Sequence, residues 1–408
     1  MDQILINSFV HINVCEKETL FYNTLNGILV KLDNPAFANS VKLLLDSTRG
    51  NYLLSTEFLN RKEIDSLING GIGTLIERGN KPIQFIPRSF VDGYPISLYS
   101  NGLRDLLLEN QTIGQKEKAE IEYLSLMGKN IFSYLEILNI HYSSLTDKKY
   151  SLFQHVHKQY LYPQIGTSAN INININTLKT FIQDWRHIRR INIVIGDINE
   201  TDVSEINEFA RFLKEMNIQV HIYGCICNEN ILMKLTSDYM YCWVTSLDEH
   251  VRNGKAAKNG YTMLGLICSE DDLSVLEVLC GENNIFACNT LQNEDFCAEV
   301  SGYELNEITQ EIISEAQIRT NTTLNLNLFG SLWIYPDYKV YSCPNDKALG
   351  TIVKDTVREI LYKEFTVSKS WFKVRLEHES CRHCIYNTLC PPITNYELFL
   401  GKTLCNWK

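Results

Sequence analysis

The residues best placed to do chemistry are four cysteines near the end of the chain, at 381, 384, 390 and 405. The first three fall in the run Glu379-Ser-Cys-Arg-His-Cys-Ile-Tyr-Asn-Thr-Leu-Cys390, a C-x2-C pair followed by a third cysteine. A C-x2-C pair lets two thiolates grip one metal from a tight turn. Two later cysteines complete a four-thiolate set that suits either Zn²⁺ or an iron–sulfur cluster. The plain alternative is four buried thiols, although cysteines that merely pack tend to scatter rather than gather at such spacing.

Thirteen cysteines is an odd number for a chain with no basic-then-apolar signal at Met1-Asp2-Gln3-Ile4, which argues for reduced thiols over a disulfide framework. Cys15, Cys225, Cys227, Cys242, Cys268, Cys280, Cys288 and Cys297 lie outside the C-terminal group and read as small packing hydrophobes. The formal net charge of -10 opposes nucleic-acid binding, which needs a basic surface. No apolar run reaches bilayer length, so no membrane role is expected and the protein reads as soluble and cytoplasmic.

A chain of 408 residues, 45% of them hydrophobic, can bury more than one core. The first segment, 1–88, opens with strand candidates Phe9–Cys15, Thr19–Asn23 and Gly27–Leu32. A helix follows from Ala36 to Asp46 behind the Asn34-Pro35 start signal, and a second runs from Arg61 to Asn69 with Ile64, Leu67 and Ile68 as its apolar stripe. Ile72–Ile76 and Ile83–Ile86 read as extended. Three strands followed by helices make a winged-helix-like arrangement. Residues 89–130 read as a connector carrying a helix from Gln115 to Leu126.

From 131 to 320 the pattern alternates. Strands are expected at Leu135–Tyr142, Ile188–Ile195, Ile218–Tyr223, Tyr239–Val244, Tyr261–Ile267 and Asn284–Ala287, with a helix from Asp202 to Met216. Short apolar strands interleaved with helices imply a parallel sheet buried on both faces, open or closed into a full or partial (β/α) barrel. Chemistry in a barrel sits at the C-terminal strand ends, and there the sequence offers no metal or acid–base set. His155 and His157 read as surface histidines, and Asp197 and Glu200 as turn and capping residues. No phosphate loop is present. In 321–408, residues 328–342 read as a hairpin turning at Tyr335-Pro-Asp-Tyr338, followed by Cys343, Gly350 and a helix from Thr356 to Glu364.

Segment 1–88 resembles the leader-recognition domain of enzymes that mature ribosomally made peptides. That resemblance implies that a precursor's leader adds as a strand at the third strand's edge and packs on the last helix, through Ile28, Val30, Leu32, Ile64, Leu67 and Ile68. The alternative reading of this segment is a small scaffold or dimerisation domain. The C-terminal order of Cys343, Gly350, Cys381-x2-Cys384-x5-Cys390 and Cys405 resembles the SPASM domain of radical SAM peptide maturases. It implies one [4Fe-4S] cluster on Cys381, Cys384, Cys390 and Cys405, with Cys343 a remnant ligand or a core thiol and zinc as the alternative metal.

Two departures set this chain apart. The cysteines expected soon after Gly350 and after Cys390 are missing, so the first auxiliary cluster is not expected. The C-x3-C-x2-C motif that the active family carries after its first barrel strand occurs nowhere, the loop there reading Ser143-Ser-Leu-Thr-Asp-Lys-Lys-Tyr150. Where the active family binds the methionine amine of its cofactor with Gly-Gly-Glu, this chain has Gly196-Asp197-Ile198. Three thiolates have no substitute here, so neither S-adenosylmethionine binding nor radical catalysis is expected.

The whole chain therefore resembles a pseudo-radical-SAM protein. The expected architecture is α/β, a partial barrel between a winged-helix-like domain and a truncated SPASM-like domain. The expected role is a non-catalytic accessory that binds a precursor leader and partners an active radical SAM maturase. An electron conduit using the single cluster and a zinc-stabilised structural protein are the alternatives.

Overall fold

The computed structural model describes residues 2–46, 53–76, 134–146, 161–162, 172–183, 185, 187–225, 229–244, 262–267, 269–272, 284–288, 295–296 and 304–405. The connector and its helix, Ile83–Ile86, His155, His157, Cys227, Cys268, Cys280 and Cys297 lie outside these residues.

The N-terminal segment holds two antiparallel three-stranded sheets. β2 (Val10–Cys15), β3 (Glu18–Asn23) and β4 (Leu29–Asp33) form the meander read from the sequence, in the order β2-β3-β4. The second sheet joins the extended Ile72–Ile76 run to two strands that were not read from the sequence: β1 (Gln3–Ile6) pairs with β5 (Leu53–Ser55) on one side and β6 (Gly73–Ile76) on the other. Helices α1 (Pro35–Asp46) and α2 (Arg61–Asn69) lie on these sheets. α2 starts where its chemistry says, the Asn60 side chain accepting from the Glu63 N–H while Glu63 returns the bond to the Asn60 N–H. Ile4, Val10, Ile12, Phe21, Val30, Leu32, Phe37, Val41, Leu54 and Leu67 form the core of this unit.

The rest of the described chain is a mixed α/β body on a nine-stranded sheet. Six strands lie side by side in chain order and all parallel: β7 (Ile137–His141), β8 (Arg190–Val194), β9 (Gln219–Cys225), β10 (Tyr239–Val244), β11 (Thr262–Ile267) and β12 (Asn284–Cys288). Helices α3 (Ile175–Ile182) and α4 (Glu200–Glu215) cover one face, burying Leu178, Phe181, Val203, Ile206 and Phe209 against Leu138, Ile140, Ile191, Ile193, Val220 and Ile222. Two-residue alternation sends Asn139, His141, Asn192, His221 and Tyr223 to the opposite face.

The C-terminal hairpin belongs to this same sheet. β13 (Ser331–Ile334) pairs parallel with β7, and β14 (Lys339–Tyr341) and β15 (Gly350–Thr351) extend the sheet antiparallel. Strands on both sides of the expected 320/321 boundary thus belong to one continuous sheet. Later come α6 (Leu305–Gln310), α7 (Glu315–Thr323), α8 (Val357–Lys363), which runs into a π-helical turn over Glu364–Ser368, α9 (Glu379–Arg382) and α10 (Asn395–Leu400). A four-residue helix, α5 (Glu229–Leu232), precedes β10. Among the described residues no helix is long and apolar enough to cross a membrane.

Candidate metal centre and peptide edge

The cysteine-rich segment is a succession of tight turns. Cys381 sits in α9, and the Cys384 N–H closes a turn on the Cys381 carbonyl at 2.9 Å. The Cys390 N–H does the same on Tyr386 at 3.1 Å. Beyond α10, Gly401 takes the left-handed conformation at φ 66°, which turns the chain back toward Cys405.

A buried ion pair holds these turns together. Arg375 and Glu397, 3% and 0% exposed, meet through two guanidinium bonds of 3.0 and 3.1 Å. Arg375 also donates to the Pro391 carbonyl, beside Cys390, and to Cys381 Sγ at 3.6 Å. Glu397 also accepts from the Thr394 N–H and from the Leu404 N–H, beside Cys405. Two side chains thus touch or adjoin three of the four cysteines. The fourth is held from the far end of the chain, where Cys15 Sγ donates to the carbonyl of His383 at 2.7 Å, next to Cys384.

The thiols sense one another. Burial pushes Cys390 up to about 12, Arg375 opposes this, and the nearby Cys384, Cys405 and Cys381 add to it. Burial likewise raises Cys15, with Glu16, Cys384 and Glu18 contributing. Cys343 is buried in the main apolar core: its Sγ donates to Asn395 Oδ1 at 3.1 Å, and burial pushes it up to about 12. Cys15 packs, as expected, against the apolar cluster that contains Cys390, and Cys384 packs there too. Cys225 and Cys242 are buried as expected.

Among the described residues no three His, Cys, Asp or Glu side chains are arranged to hold a metal ion. Cys381, Cys384, Cys390 and Cys405 are soft thiol donors of the kind that zinc or an iron–sulfur cluster takes, and Arg375 donates to the Cys381 sulfur.

The expected peptide-contact residues divide in two. Val30, Leu32 and Leu67 are core residues of the N-terminal unit, whereas Ile64 and Ile68 are half-buried and Ile28 is 41% exposed. Among the described residues β4 pairs with β3 alone, so its other edge faces no strand.

At the C-terminal strand ends, the loops after β7 and β8 are locked together. Gly196 donates its N–H to Ser143 Oγ at 2.9 Å, and Asp197 accepts from the Thr146 N–H and Oγ1 at 2.8 and 2.6 Å. A Cβ on Gly196 would lie 2.3 Å from the Ser144 carbonyl carbon, so only glycine permits this approach. Asp197 is thus a loop tie as well as a turn residue. Glu200 starts α4 and pairs with Lys234, and the cap itself is Asn199.

No family model matches the sequence, and no curated protein matches it. Among solved structures the chain is similar to Streptococcus suis SuiB bound to the precursor peptide SuiA, at 13% identity and TM-score 0.44 over 98% of each chain. It is similar in the same way to SuiB bound to S-adenosylmethionine, at 12% identity and TM-score 0.44 over 98% of this chain and 97% of that one. SuiB alone gives 12% identity and TM-score 0.43 with the same coverage.

Proposed function

We propose that the chain is a non-catalytic accessory protein in the maturation of a ribosomally made peptide, binding the precursor's leader through residues 1–88 and presenting it to an active radical SAM maturase. The observation that carries this reading is the β4 edge, an extended backbone next to no other described strand and flanked by α2. A leader segment adds there as a fourth strand; its main chain supplies affinity, and Ile28, Ile64 and Ile68 supply the side-chain contacts, while Val30, Leu32 and Leu67 hold the platform from beneath. Cys381, Cys384, Cys390 and Cys405 would hold one [4Fe-4S] cluster, whose role here is to stabilise the C-terminal segment. The test is fluorescence anisotropy of labelled leader segments against the full chain: saturable binding weakened by Ile28→Asp supports the assignment, and no binding at high micromolar concentration sinks it.

A second reading takes support from the Arg375 bond to Cys381 Sγ, since hydrogen bonds to cluster sulfurs tune reduction potential. On that reading the cluster passes electrons to the partner maturase. Cys384→Ser would then stop peptide modification while leaving the complex with the maturase intact.

A further inference from the structure

β3 does not alternate. Its Leu20, Phe21 and Tyr22 are consecutive and all buried, whereas a sheet with one solvent face alternates apolar and polar residues. Phe21 points into the N-terminal core. Leu20 and Tyr22 point away from it, into an apolar cluster with Ile308, Ile313, Ile318, Ile385, Tyr386, Leu389 and Cys390. Polar bonds fix the seat. His11 Nε2 shares a hydrogen bond of 2.9 Å with Thr388 Oγ1, and Asn13 Nδ2 donates to the Ile385 carbonyl at 2.7 Å and to Asn387 Oδ1 at 3.0 Å. Asn387 in turn donates to the Cys381 carbonyl at 3.3 Å, so a chain of two amides runs from β2 to the first cysteine. On the free-edge strand, Lys31 lies over the Tyr386 ring, 5.9 Å from its centroid.

We infer that the N-terminal sheet and the cysteine-rich segment form one cooperative unit, so that the state of the four thiols governs the order of the β4 edge. The physical ground is that neither surface is built to stand alone. Undocking would expose Leu20, Tyr22, Ile385, Tyr386 and Leu389 together, an apolar patch of the kind soluble proteins cover, and would strip Asn13 and Asn387 of their shared bonds. Packed elements that share a core open together rather than singly. Disturbing Cys390, which belongs to the shared apolar cluster, therefore loosens β3, and β4 is hydrogen-bonded to β3 along its length. That this alters peptide capture rests on the leader-binding reading above; the coupling itself does not.

Hydrogen exchange of backbone amides, followed by mass spectrometry on the full chain, tests it. Cys390→Ala should raise exchange at 381–390 and also at 10–15 and 18–23 by about tenfold or more, with β7 to β9 unchanged as an internal control. Asn13→Ala, which disturbs the seat from the other side, should raise exchange at 381–390. If amides rise only on the side of the substitution, or on neither side, the coupling is overturned. Anisotropy with the labelled leader segments on the same samples separates the two readings: absent binding to the wild-type chain counts against leader capture, whereas the exchange pattern alone decides the coupling.

Discussion

Arg375 and Glu397, 22 residues apart in sequence, form a two-bond ion pair out of reach of solvent, and each spends its remaining hydrogen-bonding capacity on the turns that carry the cysteines. Removing one partner strands the other as a buried charge. Arg375→Met should therefore cost about 3–5 kcal/mol. Lys234→Ala, which breaks the exposed pair with Glu200, should cost less than about 1 kcal/mol. Urea midpoints of the two variants check the contrast.

Metal content divides the cysteines. Anaerobic purification should yield about four irons with matching sulfide per chain, and dithionite should bleach the visible absorption. Cys384→Ser and Cys390→Ser should each lower the iron content, whereas Cys343→Ser, whose parent thiol bonds to Asn395, should leave it unchanged. One zinc and no iron in the wild-type chain would contradict the cluster.

Acid should weaken the fold through two histidines. Burial holds His141 down to about 3 and His221 to about 4, the latter with Arg190 assisting and Asp238 opposing. Both sit on the sheet face away from α3 and α4, with His141 Nδ1 and both His221 nitrogens unpartnered among the described residues. The unfolded chain takes up these protons near pH 6.5 and the native chain does not. Stability is thus full above 6.5 and falls as the pH drops toward 4, by up to about 1.4 kcal/mol per pH unit for each histidine. His221→Gln should flatten the stability profile between pH 6.5 and 4, read from denaturant midpoints.

Glu364 has the opposite sign. Burial raises its carboxyl to about 7, against the lowering pull of Ser342, the Trp371 N–H and Ser368. Its native pKa lies above the unfolded one, so its contribution is complete below about 4.5 and is lost as the pH rises through 7. Glu364→Gln keeps an acceptor for the Trp371 N–H, which Glu364 Oε1 receives at 2.7 Å. It should stabilise the chain at pH 8 and make little difference at pH 4.5, measured by thermal unfolding at both values.

What could be read from the sequence was what local rules decide. α2 covers Arg61–Asn69 as its apolar stripe predicts, and β10 covers Tyr239–Val244 as its short apolar run predicts. The cysteine quartet stands out in the sequence because three of its members share one short segment. Arg375 and Glu397 gave no signal, since a buried ion pair leaves no periodicity and each residue alone reads as a surface charge. The bond from Cys15 to the His383 carbonyl gave no signal for a similar reason, the two lying 368 residues apart. β1 and β5 are short strands whose pairing depends on distant neighbours, and the parallel union of β13 with β7 is equally non-local. The signal available but unused was the unbroken Leu20-Phe21-Tyr22 run, which requires a covering surface on each side.

The seat of the N-terminal sheet also sets a timetable for synthesis. Asn13 must wait for Ile385, 372 residues later, and the Tyr22 hydroxyl for the Ile313 N–H, 291 residues later. During synthesis this sheet therefore precedes the residues that cover its second apolar face, and none of the described residues of segment 1–88 covers that face. Because contacts of such long range form slowly and leave apolar surface exposed meanwhile, the sheet carries its greatest aggregation hazard until the segment around Ile385 has been made.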